Sequence, residues 1–486
     1  MALSLMTGMP PALALDKRYS AMAVAADQAT RTRLRGESLS FAETLGQSIA
    51  NIGPTLTPAI NISVVVALAG IGAWLSYLIA TVGMLFVAAN IGVLARRHVL
   101  AGSYFVYIAR ALGPLAGMLA GWSMSAAYLF TAIAVSISAH IFLAHLLLTI
   151  GLARLTPPYA LFEIVFIILI WACAYRDISL SARIGLVLEG ISLAIIILIA
   201  AVVITKHGIS DSAQLQLHNV PARGVMSALT FAVFSFVGFE SSATLAQEAR
   251  NPMCAIPRVV TLSATVTGLF FVLIAYCMVL GVGDEVHLIG DSSSPFTEVT
   301  LRAGLGRIAA VVYFSAIVSG FACGLASINA LARMLFSMGR YEFVHRSMGA
   351  VHQHYQTPHL AVTASCLFTM ILVLMCAGTT HLNAFSYAGI FGTFGFLLVY
   401  LLTCIVAPVE LWRAGELSVG KLIVGALGTG LMVFVLIGSM VPVQSYPMSL
   451  LPYLFGAYLT LGILWYGIVS VRFPHALRGI ALDLEK

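Results

Sequence analysis

Charged side chains are scarce in this chain. Asp, Glu, Lys and Arg make up 9% of its 486 residues, against 60% hydrophobic residues. A soluble domain carries about 25% charged residues. The shortfall excludes an ordinary water-soluble fold and leaves an all-α polytopic membrane protein, whose apolar surface faces lipid. The formal charge is +6, but the cations lie dispersed between apolar runs, so no basic face is left for nucleic acid. The seven cysteines show no CxxC spacing, which argues for small buried residues rather than disulfides or metal ligands. No GxxxxGK[ST], HExxH or GxSxG occurs, so ATP-driven transport and hydrolytic chemistry find no support. An enzyme is not expected, and neither a metal nor an organic cofactor is implied. His345, His352, His354 and His359 cluster in one segment, where flexible-loop histidines are the commoner reading. The basic cluster Arg31 to Arg35 is not followed by the apolar core of a cleavable signal.

What the chain does have is apolar runs. Twelve of about 20 residues each follow one another from Leu45–Leu68 to Leu450–Val471. They divide the chain into a polar tail (1–40), a first group of five spans (41–210), a second group of five (211–406), two further spans (407–471) and a short tail (472–486). With the N-terminus in the cytoplasm, only Arg154, Lys206, Arg223, Arg302 and Arg307 of the 25 basic residues fall outside. That asymmetry places both termini in the cytoplasm, as expected for a multi-pass protein of the cytoplasmic membrane. Small residues recur every four positions at Gly113, Gly117 and Gly121 and again at Ala316, Gly320 and Gly324, a spacing that lets helix backbones approach closely in lipid.

Two runs resist reading as continuous helices. The sixth carries Glu240 near its middle, flanked by Ser235, Gly238, Ser241 and Ser242. A carboxylate at that depth is kept where it faces a cavity or a partner. The first run contains Gly53, Pro54 and Pro58, which remove amide donors and permit non-helical backbone. These breaks open the first and second groups of five. Interruptions at corresponding positions of two halves point to a five-plus-five inverted repeat with discontinuous helices 1 and 6, binding its ligand between them. A restarting helix offers free amides to a carboxylate, and an ending helix offers carbonyls to an ammonium. A small zwitterion fits both. On this reading Asn51, Ile52, Gly53, Pro54 and Thr55 meet Ser235, Phe236, Val237 and Gly238 around the ligand, and Phe234, Phe236 or Phe239 closes over it.

Phe236-Val-Gly-Phe-Glu-Ser-Ser-Ala-Thr-Leu-Ala-Gln-Glu-Ala-Arg-Asn-Pro252 with Ala255-Ile-Pro-Arg258 closely resembles the sixth-helix signature of the amino acid–polyamine–organocation (APC) transporters. Ala326 to Arg340 resembles that family's eighth helix, and Gly102 to Pro114 the segment before its third. The resemblance implies secondary transport of an amino acid by alternating access, with substrate held by backbone groups at Asn51 to Thr55. It implies an aromatic gate at Phe234 and an inner-gate carboxylate at Glu240. Two departures stand out. Ile52-Gly-Pro-Thr55 replaces the Gly-rich first break of many relatives, and Ser192 stands where some proton-coupled relatives carry Lys. Glu189, in the same span, is the residue expected to contribute to proton coupling. A sodium ion, held by first-helix carbonyls with Ser315 or Ser319, is the lesser alternative, and exchange without an ion is a third. A polyamine carrier of the same fold is the alternative substrate reading, and a substrate sensor without flux the alternative class.

Overall fold

The computed structural model describes residues 34–472 apart from 100–101, 218–219, 221, 284, 291–294, 303, 305, 307–308 and 441–445. Most of the tail expected at 1–40, and all but the first residue of that at 472–486, lie outside the described residues. Among the described residues the secondary structure is helical, with a single parallel bridge between Leu39 and Ala249. In chain order the main helices are α1 (Phe41–Ile52), α2 (Leu56–Ala69), α3 (Ala73–Ala95), α4 (Ser103–Leu112), α5 (Pro114–Thr149), α6 (Tyr159–Arg176) and α7 (Ile178–His207). They continue as α8 (Ala222–Phe234), α9 (Pro252–Val282), α10 (Ala309–Arg340), α11 (His359–Met375), α12 (His381–Arg413), α13 (Val419–Gly438) and α14 (Leu451–Arg472).

Among the described residues, ten stretches are long and apolar enough to cross a bilayer. The difference from the twelve runs in the sequence has one cause: the first and sixth runs are interrupted. The first is split between α1 and α2, and α2 runs into α3 through the turn Gly70–Gly72, so that Ala59–Ala95 counts as one stretch. The sixth ends as helix at Phe234 and continues as turns to a short 3₁₀ segment, Ser241–Leu245.

The burial pattern explains which helices carry polar residues. α10 and α12 bury 72% of their apolar window, whereas α13 and α14 bury 22% and 17%. The first pair is therefore central and the second peripheral. α5 and α10 form the most extensive helix pair in the molecule. Gly320 makes part of that contact: a Cβ there would sit 2.9 Å from Leu56 Cδ1 and 3.4 Å from the Val135 carbonyl oxygen. The other small-residue series serves two contacts. Gly117 packs α5 on α4, with Phe105 O 2.7 Å from where its Cβ would be. Gly121 also meets α10, with Met338 Sδ 3.0 Å from where its Cβ would be.

The start of α1 is fixed by a capping box. The Ser40 amide donates to Glu43 Oε2 at 2.8 Å, and the Glu43 amide donates to Ser40 Oγ at 3.3 Å. Such a pair satisfies two amides that the first helical turn leaves bare. Glu43 also accepts from Ser179 at 2.9 Å and pairs with Arg183, which ties α1 to the start of α7.

Candidate functional site

The two interruptions meet. α1 ends at Gly53, whose left-handed backbone (φ 58°) lets its amide turn back to Ala50 O at 3.0 Å. α2 restarts after Thr55, whose side chain makes no capping bond to the positive end of the α2 dipole. The Thr55 hydroxyl is buried without a partner. In the other interrupted segment Gly238 adopts φ 98°. A Cβ on it would lie 2.5 Å from Asn51 Nδ2 and 2.7 Å from Asn51 O. The two segments thus touch main chain to main chain, a distance only glycine permits.

Asn51 is the hub of this contact. Its side-chain amide donates to Gly238 O at 3.5 Å, its Oδ1 accepts from Ser327 at 2.6 Å, and its main-chain carbonyl accepts from the Cys323 thiol at 3.1 Å. α10 therefore holds the end of α1 in place. Ser235 is tied to α2 and α3 instead, bonded to Asn61 at 3.4 Å and to the Tyr77 hydroxyl at 3.2 Å.

Beside the breaks lies a small chamber of about 40 Å³, room for a few waters. Asn51, Ile52, Phe234 and Val237, all expected from the sequence, line it together with Leu56, Asn61, Thr131, Cys323 and Phe385. Gly53, Pro54, Thr55, Ser235, Phe236 and Gly238 shape the backbone around it without forming its wall. Phe236 packs on Phe271 and Phe239 on Tyr400. A larger crevice of about 310 Å³ adjoins the chamber, between α2, α8, α12 and the end of α13. Phe234, Phe385, Asn61 and Gly389 border both spaces. The two phenyl rings thus stand between crevice and chamber.

The opposite end is sealed in three layers. Nearest the chamber, Ser241 Oγ donates to Gln47 O at 3.3 Å and the Ser242 amide to Ser48 Oγ at 3.2 Å. Below them, Leu39 exchanges main-chain bonds of 2.9 Å with Glu248 and Arg250. Last, Glu248 and Arg333, both wholly buried, form a two-pronged ion pair at 2.9 and 3.0 Å. The segment before α1, the linker before α9 and the core helix α10 are thereby fastened together.

Glu240 lies in neither cavity wall. It is wholly buried, accepting from the Tyr128 hydroxyl at 2.9 Å and from that of Tyr400, while Tyr104 donates to its main-chain oxygen at 3.2 Å. α5 and α12 thus converge on the Glu240 carboxylate, and α4 on its main-chain carbonyl. Glu189 is also buried. One of its oxygens accepts from Ser319 at 2.7 Å and the other has no partner. Ser192, one turn on, donates to Ser315 O at 3.0 Å. The Asn61, Tyr128, Tyr400 and Phe385 contributions are not legible in sequence. The signal available was a lone hydroxyl or amide in an apolar run, which does not say which way it points. Among the described residues no three His, Cys, Asp or Glu side chains converge as a metal site.

The position of Cys323 in the chamber wall gives a direct check on the closure. In a chain keeping Cys323 as its only cysteine, a small membrane-impermeant thiol reagent is expected to label it slowly, and Phe234→Ala to speed labelling at least tenfold. Equal rates would mean that Phe234 does not bar the chamber.

These features define a polytopic helical membrane protein with a small chamber at the meeting of two interrupted helices. Comparison with known proteins agrees. The family model for amino acid permeases matches residues 45–472. The chain belongs to the amino acid permease family, within the APC superfamily; its relatives are transporters and not enzymes. It is 25% identical over 299 residues to the low-affinity putrescine importer PlaP of Escherichia coli, covering 59% of this chain and 64% of PlaP. It is 24% identical over 309 residues to the branched-chain amino acid permease BcaP of Bacillus subtilis, covering 60% and 65%. It is 23% identical over 335 residues to the glutamate/serine transporter AimA of the same organism, covering 64% and 61%. The chain thus matches just under two thirds of the length of each of these relatives.

Proposed function

We propose that this chain is a secondary active transporter that carries a neutral amino acid across the cytoplasmic membrane by alternating access. The observation that carries the reading is the asymmetry around the chamber, with a crevice on one side and a three-layered seal on the other. The distribution of basic residues supports a cytoplasmic sealed side and cytoplasmic termini; on that reading the arrangement corresponds to an outward-facing state with its inner exit shut. In this reading α1 with α2 forms the first membrane segment, and α8 with the turns after it the sixth. The chain then has twelve segments, ten of them in two inverted groups of five. The substrate carboxylate sits at the uncapped start of α2, and the ammonium near the carbonyls of the second break.

Among the described residues, the chamber wall contains no charged side chain. A diamine would leave two ammonium groups there without a carboxylate, a costly arrangement away from water. This favours a neutral amino acid over a polyamine, although one relative is a putrescine importer. Proteoliposome uptake of labelled leucine, serine, glutamate and putrescine, with and without pH and sodium gradients, tests the reading. Putrescine uptake with no amino acid uptake would overturn the substrate assignment. Ligand binding with no flux of any of them would make the protein a sensor.

Glu189 is the coupling residue in this proposal. It faces Ser319 on α10, one turn from the Cys323 that bonds the end of α1, so its charge state bears on the first break. Its unpartnered oxygen leaves room for a proton. Glu189→Gln is expected to remove stimulation of uptake by an inward proton gradient and to leave substrate exchange intact. Unchanged pH stimulation in the variant would exclude this role; stimulation by sodium in the parent would assign Glu189 and Ser319 to that cation instead.

A further inference from the structure

A separate cavity of about 1090 Å³ lies at the edge of the molecule, between the last turns of α3 and the first turns of α9. Its floor is where the two helices nearly touch, since a Cβ on Gly92 would be 3.4 Å from that of Pro257. Its walls are apolar. Phe41 and Leu262 contribute exposed faces, and the hydroxyls of Thr261 and Thr265 are already bonded to carbonyls of their own helix at 2.9 and 2.8 Å. The cations are gathered at one end. There Arg97 pairs with Glu416 at 2.7 Å, and Lys421 donates to the Glu416 carbonyl oxygen at 3.0 Å. Arg96 and Arg258 are exposed on the same rim, and among the described residues neither side chain makes an ion pair.

A groove that is apolar along its length and cationic at one end is complementary to an anionic amphiphile lying along the protein wall. We propose that it binds an anionic phospholipid of the surrounding bilayer, its phosphate between Arg96 and Arg258 and its acyl chains against Phe41, Leu262 and the α3 face. The rim lies on the side that the basic residues assign to the cytoplasm, where the leaflet is rich in anionic lipid and basic pockets between helices hold such headgroups. Phe41 is the first residue of α1. A lipid packed against it bears on the segment that ends in the first break. The inference needs the protein to be in a membrane but does not need it to transport, so the two readings fail independently.

The full chain in detergent, titrated with phosphatidylglycerol, with phosphatidylcholine of the same acyl chains, and with inorganic phosphate, gives the test. Retained lipid is counted by native mass spectrometry, and the melting temperature is followed in parallel. Phosphatidylglycerol is expected to bind more tightly than phosphatidylcholine and to raise the melting temperature, with phosphate alone doing neither. Arg96→Gln with Arg258→Gln is expected to lower phosphatidylglycerol affinity about thirtyfold, the factor for two cations at an anionic lipid surface. Leu262→Trp, which fills the groove and keeps its charge, should weaken both lipids. Arg346→Gln, outside the groove, should weaken neither. Equal affinity for the two lipids, an unchanged affinity in the double variant, or full protection by phosphate alone would each overturn the proposal.

Discussion

Gly238→Ala is expected to lower uptake about a hundredfold in proteoliposomes, corresponding to about 3 kcal/mol of backbone strain and overlap at the meeting of the two breaks. The added methyl would have to share space with Asn51, whose carbonyl oxygen and carbon lie 2.7 and 2.9 Å from it. At φ 98° the new side chain also resists the backbone it inherits. Asn51 cannot yield easily, because Ser327 and Cys323 hold it from α10. Gly190→Ala on α7, where a Cβ would meet nothing within 4 Å, is the matched control and should transport normally. Wild-type uptake by Gly238→Ala would show that the close approach of the two segments is not used in the cycle.

The second large effect concerns the layer of the seal farthest from the chamber. Glu248→Gln or Arg333→Gln leaves one charge buried without its partner, which costs about 3–5 kcal/mol. Either variant should show a clearly lowered melting temperature. Replacing both together, Glu248→Leu with Arg333→Met, removes the stranded charge and should recover most of that loss, because apolar packing substitutes well for a buried ion pair. Function should separate from stability in the double variant. Without the two-pronged pair, the linker before α9 is no longer fastened to α10, and the seal should open more often. Cysteines introduced at Ser241 would then react faster with a thiol reagent from that side. Single variants as stable as the parent would mean that the pair contributes no net binding between these segments.

How far the sequence could be read differs by element. The helical membrane class and the places of the ten continuous stretches follow from apolar run length, a property of each segment alone. The first break was legible at Gly53 and Pro54 because both residues restrict or free the backbone whatever surrounds them. The second was legible because Glu240 and Gly238 are out of place in an apolar run. The partners of Glu240 were not legible. Tyr104, Tyr128 and Tyr400 come from three helices far apart in the chain, and each looks alone like any interfacial or core tyrosine. The Arg333–Glu248 pair was hidden for a similar reason, since both residues sit in segments that read as cytoplasmic exits where charge is ordinary.

By itself, then, the sequence determined the solvent of this protein, the location of its two breaks and, through its motifs, its family. Those properties reside in single segments, where composition and local backbone chemistry act without reference to the rest of the chain. Only the tertiary structure decided which residues wall the chamber, that Phe234 and Phe385 stand between it and the crevice, and that Glu240 is held among tyrosines instead of facing the cavity. The direction a helical side chain points depends on how its helix is rotated against its neighbours, and packing sets that rotation.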